Sequence, residues 1–187
     1  MILDDIQNKT VQVDNYQATF LTLKIDEQLF RFDFIGKKEF SLKKGVVGQF
    51  YYFEKHPLLI DYNETIVTTY INSKPDHFDR FIDELKNAIE EITEGWRRWT
   101  NYLTDKNINF TFDKFLGNVK DGSGKLSEAP FTVNQKIVAV CDKHGVLTKS
   151  FESVLKPNNY KLILVGDNYV IAKDFRNNNM NETKGSP

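Results

Sequence analysis

The sequence predicts an α+β protein: an antiparallel β-meander packed on one long amphipathic helix, followed by a smaller β-rich C-terminal segment. Three observations carry this. The first third alternates apolar and polar residues with period two. The middle repeats them with helical period, and the β pattern returns after a stretch rich in glycine and serine.

The alternation is cleanest in LFRFDFIG (29–36). Successive strand side chains point to opposite faces, so Phe30, Phe32 and Phe34 fall on one side and Leu29, Arg31, Asp33 and Ile35 on the other. YQATFLTLKI (16–25) precedes it across DEQ, a link suited to a hairpin turn. VVGQFYYFE (46–54) and TIVTTYINS (65–73) continue the β-branched and aromatic pattern. Together they predict a meander of about four or five strands.

From Phe78 the period changes. Phe78, Phe81, Ile82, Leu85, Ala88, Ile89, Ile92, Trp96, Trp99 and Leu103 share one helical stripe, which predicts a helix over about 75–103. Ser73 with Asp76 three positions on resembles a capping box, and Pro75 suits a first turn. Acids crowd the first half and Arg97 and Arg98 the end, as the helix dipole favours. EGWRRWTNYL (94–103) has the composition of a surface that stacks bases and grips phosphates. Its spacing instead puts Trp96 and Trp99 on the buried stripe and turns both arginines away from it. The Phe30/Phe32/Phe34 face is the expected cover for that stripe. Gly95, inside the expected helix, marks a bend or a close backbone contact.

NINFTFDKFLGN (107–118) reads as a further strand and a turn, which completes a first domain over 1–117. Residues 118–130, ending in VKDGSGKLSEAP, combine glycine, serine, proline and charge as a linker does. FTVNQKIVAVC, GVLTKSF and the hairpin YKLILV-GDN-YVIAKDF then predict a small β subdomain over 131–175, docked on the first because it is marginal alone. RNNNMNETKGSP closes the chain as a polar tail, 176–187.

A net charge of −1 removes any global attraction to nucleic acid or acidic membranes, so such binding would need a local patch. The single cysteine, Cys141, excludes an intramolecular disulfide and a thiolate zinc cluster, and points to a reducing compartment. MILDDIQNKT carries acids where a signal peptide carries a basic region, and no run approaches the roughly 18 apolar residues of a membrane span. A soluble, cytoplasmic protein with no membrane partner is expected.

Five residues of FEKHPLLIDYNET stand out as candidate chemistry: Glu54, His56, Asp61, Tyr62 and Glu64 crowd one connection between strands. A histidine among carboxylates can act as a general base, and the same groups can hold a divalent metal. The alternative is a polar loop with its leucines tucked under the sheet. GNVKDGSGKLS fails as a phosphate loop, because Val119 stands at the first glycine position and Leu126 follows Lys125. CDKHGV sets Cys141 three residues from His144, but a zinc site needs about four ligands and no second pair exists. A buried cysteine beside a turn histidine accounts for it. His77, between Asp76 and Asp79, reads as a solvated helix-start residue. GKKEFSLKKG (36–45) places four lysines around Phe40, as a guarded strand edge or a phosphate patch would.

No complete catalytic constellation emerges, and no cofactor or metal is implied. The leading expectation is a non-enzymatic protein-interaction module, an inhibitor or immunity-type binder or a component of a larger assembly, partnered by another protein or by itself. The alternatives are a small enzyme using the 54–64 loop and a nucleic-acid binder using lysines 37–44 with Arg97 and Arg98; the neutral total charge argues against the last.

Overall fold

The computed structural model describes residues 9–45, 47–103, 111–153 and 158–179. The fold is α+β with antiparallel sheets, and it divides into two compact units: Met1–Leu59 with Asn158–Pro187, and Ile60–Pro157. The second unit is thus inserted in the chain between two strands of the first.

The first unit contains β1 (Thr10–Tyr16), β2 (Phe20–Ile25), β3 (Gln28–Ile35), β4 (Glu39–Ser41), β5 (Val47–Phe53), β9 (Lys161–Val165), β10 (Asn168–Ala172) and β11 (Asp174–Asn179). Their order is β11-β3-β2-β1-β5-β9-β10-β4, every pair antiparallel. Both ends of that order are halves of bent strands. β10 runs into β11 through Lys173, and β3 runs into β4 through residues 36–38. β11 pairs with β3 while β10 pairs with β4, so the sheet closes on itself as a barrel of six continuous strands. The bend between β3 and β4 is a bulge. Three residues there oppose two on the other strand, Gly36 takes φ +61°, and the ladder resumes through Lys173 N to Ile35 O (2.9 Å) and Lys38 N to Ile171 O (2.8 Å). A Greek-key order, β5-β1-β2-β3, follows from β5 returning beside β1. Phe30, Phe32, Val11, Val13, Leu21, Leu23, Phe50, Ile163 and Val170 fill the interior, with Phe34 partly buried against them. Phe32 and Phe50 stack with ring centroids 5.4 Å apart.

The second unit is a three-stranded sheet, β7-β6-β8, with helices on one face. Its elements are β6 (Ile66–Ile71), α2 (Phe78–Thr93), a 3-10 turn (Trp99–Tyr102), α3 (Phe112–Asp121), β7 (Gly124–Pro130), α4 (Phe131–Lys143) and β8 (Thr148–Glu152); α1 (Pro57–Asn63) straddles the boundary between the units. Phe81, Leu85 and Ile89 of α2 are buried with Val133, Ile137 and Cys141 of α4, Phe115 and Val119 of α3, and Leu126 of β7. Phe78, Ile82, Ile92 and Trp99 pack against that cluster, partly exposed.

Several expectations are corrected. The helix expected over 75–103 stops at Thr93, because Glu94 and Gly95 both turn left-handed (φ 49° and 74°). Trp96 therefore leaves the stripe, partly buried in a turn whose N–H reaches Thr93 O (2.9 Å). Trp99 meets Phe112 edge-on at 5.4 Å. The N-cap is His77, without a side-chain cap bond; Ser73 Oγ instead accepts from Leu147 N (2.8 Å). The helical stripe and the Phe30/Phe32/Phe34 face lie in separate cores, one in each unit. β6, expected in the meander, belongs to the smaller sheet.

The stretch read as a linker is the end of α3 and the whole of β7, and the strand expected over 107–118 is helical from Phe112, with 107–110 outside the described residues. FTVNQKIVAVC is helical, because Val133, Asn134, Ile137, Val140 and Cys141 repeat at three- and four-residue intervals on one buried face. No separate subdomain spans 131–175: β9, β10 and β11 complete the barrel. Of the expected tail, 176–179 lie in β11 and 180–187 lie outside the described residues. Among the described residues, no helix is long and apolar enough to cross a membrane.

Candidate functional site

The five loop candidates separate. Glu54 and His56 belong to the first unit, and Asp61, Tyr62 and Glu64 to the second. Glu54 is exposed and accepts from Tyr52 OH at 3.4 Å. Proline opens α1, where its missing N–H costs nothing, and the next N–H, of Leu58, finds its acceptor outside the helix in His56 Nδ1 at 3.1 Å. Its ring lies 4.9 Å from Phe53.

Asp61 accepts from Arg97 and from Tyr102. Arg97 Nε reaches its Oδ2 at 3.0 Å and Tyr102 OH its Oδ1 at 2.9 Å, while an Arg97 Nη reaches Tyr62 OH at 3.3 Å. The left-handed pair at Glu94 and Gly95 turns the chain so that Arg97 comes back onto α1 rather than into water. Burial, and then the Asp61 carboxylate beside it, push the Tyr102 phenol well above its ordinary range. Glu64 takes both the Thr132 N–H (2.7 Å) and the Thr132 hydroxyl (2.6 Å). It thereby caps α4, whose own N-cap, Pro130, has no side-chain acceptor. Glu64 thus fixes backbone, and Asp61 fixes the Arg97 and Tyr102 side chains. Among the described residues, no three of His, Cys, Asp and Glu gather as a metal would require.

His77 and His144, far apart in sequence, share a cleft of about 260 Å³ with Asp76, Arg80, Lys143 and Gly145. Beside it, Glu84 accepts from Lys143 Nζ (2.7 Å), Arg80 Nε (3.0 Å) and His144 Nε2 (3.1 Å). The Lys143 ammonium foremost, then Arg80 and His144, hold the Glu84 carboxyl down to about 2. An ionised carboxylate only accepts, so His144 Nε2 carries the proton of that bond. Asp76 and Glu84 balance Arg80 and Lys143, and Glu84 ties the end of α4 to α2. Nearby Cys141 is fully buried, and burial pushes its thiol up to about 12, which leaves no thiolate to attack a substrate.

The lysine stretch is also accounted for in part. β4 is paired within the barrel, Lys37 Nζ sits 4.2 Å over the Phe40 ring, and Lys43 N donates to Asn168 Oδ1 at 2.8 Å. Arg97, named with the lysines as a possible phosphate contact, is bound to Asp61.

What stands open is one edge of the smaller sheet. Among the described residues, β8 pairs with β6 alone. Antiparallel ladders alternate pairs that exchange hydrogen bonds with pairs that do not. Asn72 N donates to Leu147 O and Ser153 N to Ile66 O (both 2.8 Å), in the register that matches Ile71 with Thr148 and Val67 with Glu152. The bonded pairs therefore run through Leu147, Lys149, Phe151 and Ser153. Thr148, Ser150 and Glu152 turn their own N–H and C=O outward, to the free edge.

The side chains sort the same way. Ser150 Oγ meets Thr69 Oγ1 (2.8 Å), which meets Asn134 of α4 (2.6 Å), so the even-numbered positions of β8 face the helices. Leu147, Lys149 and Phe151 share the outer face with Thr68 and Tyr70. Leu147 is 66% exposed, Phe151 51% and Tyr70 40%. Phe151 meets Tyr70 edge-on at 6.0 Å, and Lys149 Nζ lies 5.1 Å from the Phe151 ring. GVLTKSF reads locally as one more strand; its apolar 147 and 151 with lysine between are the local signal, and the pairing reveals the free edge.

Comparison of the chain with protein-family models, with curated proteins and with solved structures finds no match.

Proposed function

We propose that this chain is a non-enzymatic protein-interaction module that takes an extended segment of polypeptide onto the free edge of β8, as an inhibitor-type binder or a component of a larger assembly. The observation that supports it is the coincidence, on one short strand, of outward backbone groups at Thr148, Ser150 and Glu152 with exposed Leu147, Phe151 and Tyr70 beside them. In strand addition, main-chain hydrogen bonds supply affinity and alternate side chains supply specificity. Free edges in proteins that stay alone are ordinarily covered, bulged, charged or blocked with proline; β8 has neither bulge nor proline, its charges are Lys149 and Glu152, and the Lys149 ammonium lies toward the Phe151 ring. The bonds that hold Asp61 and Glu64 to Arg97 and Thr132 favour this reading over an enzymatic one for those carboxylates. The single buried cysteine is compatible with work in the cytoplasm.

Selection of displayed extended peptides on the intact chain tests this. Binders are expected to survive Ser150→Ala, which keeps the outward N–H, and to be lost with Ser150→Pro, which removes it. Peptides that bind the proline variant as well as the parent would place the interaction elsewhere.

A further inference from the structure

We infer that β8 of a second copy of this chain is itself a segment that this edge accepts, giving a two-fold dimer in which two three-stranded sheets become one. The inference rests on the strand-addition reading above and names its partner.

The outward residues limit the two-fold axis to Lys149, Ser150 or Phe151, and only an axis at Ser150 uses all three outward positions, Thr148, Ser150 and Glu152, on both strands. Antiparallel pairing about a two-fold axis at Ser150 sets Ser150 against its own counterpart and Thr148 against Glu152 of the second copy. All of these are outward-facing positions, so each N–H meets a C=O, and about six main-chain hydrogen bonds close the seam. A shift by one residue would pair outward with inward groups and flip every side chain to the wrong face.

The same register decides the side chains. On the outer face Lys149 stands opposite Phe151 of the second copy, twice, so no lysine directly opposes a lysine. Within one chain Lys149 Nζ already lies 5.1 Å from the Phe151 ring, a contact that the second copy repeats across the seam. Tyr70, edge-on to Phe151, extends the shared apolar strip from the neighbouring strand. On the helix side, the Thr148 hydroxyl faces the Glu152 carboxylate of the second copy, a donor opposite an acceptor. The strand is thus complementary to itself in backbone hydrogen bonds, in ammonium against ring and in hydroxyl against carboxylate.

Sedimentation equilibrium of the intact chain, from micromolar to near-millimolar concentration, tests this against Ser150→Pro, Glu152→Pro and Ser150→Ala. The parent and Ser150→Ala are expected to dimerise. Each proline variant that keeps the parent circular-dichroism spectrum is expected to weaken association by roughly tenfold or more, because an outward N–H is gone. The pairing would be overturned by a parent that stays monomeric throughout, or by a dimer indifferent to both prolines. A monomeric parent that still binds selected peptides in a Ser150→Pro-sensitive way would sink only the self-pairing; loss of peptide binding as well would sink both.

Discussion

Arg97 and Asp61 stand 36 positions apart in the sequence and 3.0 Å apart between Nε and Oδ2. The pair is largely shielded, with the arginine side chain 16% and the aspartate 25% exposed, and Tyr102 OH completes it from the 3-10 turn. Breaking one partner of a shielded pair is more damaging than its net contribution, since the other charge stays out of water. Asp61→Ala is therefore expected to destabilise the fold by about 2–3 kcal/mol. A double-mutant cycle with Arg97→Ala should return a coupling of about 1 kcal/mol or more. Urea melts of the four proteins measure both; additive losses would mean the contact contributes nothing specific.

That pair also shows what a local pattern can and cannot reveal. The apolar stripe through Phe81, Leu85 and Ile89 is a property of neighbouring residues, and it is buried as its period requires. The end of the helix is legible only as the Glu94–Gly95 step, a weak signal beside a stripe that continues in register to Trp99. The β-branched residues of α4 favour strand, and its 3.6-residue repeat was the better guide. In β7 the glycine and serine suggested a linker, yet Leu126 and Ala129 are buried in the second core. Barrel closure joins residues 30–41 to 169–179, and no local feature of either announces the other. The free edge of β8 is hidden for the same reason: an edge is defined by the strand that is absent from its side.

Glu64 supplies α4 with the cap that the helix's own sequence lacks. Glu64→Ala should cost about 1–2 kcal/mol, the usual loss for an N-cap, with the amide of Thr132 exchanging faster in hydrogen-exchange measurements. Glu64→Gln keeps one acceptor and should lose less. Equal exchange at Thr132 in all three proteins would show that the helix start is held by something else.

Glu84 gives the fold a dependence on acid. Its carboxyl, ordinarily near 4.5, titrates at about 2 in the folded state because Lys143, Arg80 and His144 bind the charged form. A depressed carboxyl stabilises the fold above its unfolded value, and that contribution is lost as pH falls toward the folded one. Stability should thus decline between about pH 4.5 and pH 2, and Glu84→Gln should flatten that part of the profile while leaving its other limbs. Denaturant midpoints across the acid range provide the check, and an unaltered slope in the variant would remove Glu84 from the account.

The β2–β3 hairpin carries strain that substitution can relieve. Ile25 pairs with Gln28, so the turn is the two residues Asp26 and Glu27, both left-handed at φ 47° and 67°. Such a turn matches the twist of the strands but suits Asn-Gly far better than a pair with full side chains. A left-handed residue costs roughly 1–2 kcal/mol when it is not glycine, and less for asparagine or aspartate. Against this, the substitution removes the Lys9–Asp26 and Lys24–Glu27 ion pairs, whose carboxylates are 65% and 87% exposed and which therefore contribute little. Replacing Asp26-Glu27 by Asn-Gly should raise stability by about 0.5–1 kcal/mol after the glycine's greater unfolded-state freedom is subtracted. Glu27→Gly alone should give most of the gain, and Asp26→Asn little. A loss of stability in the double variant would mean that the ion pairs outweigh the backbone strain.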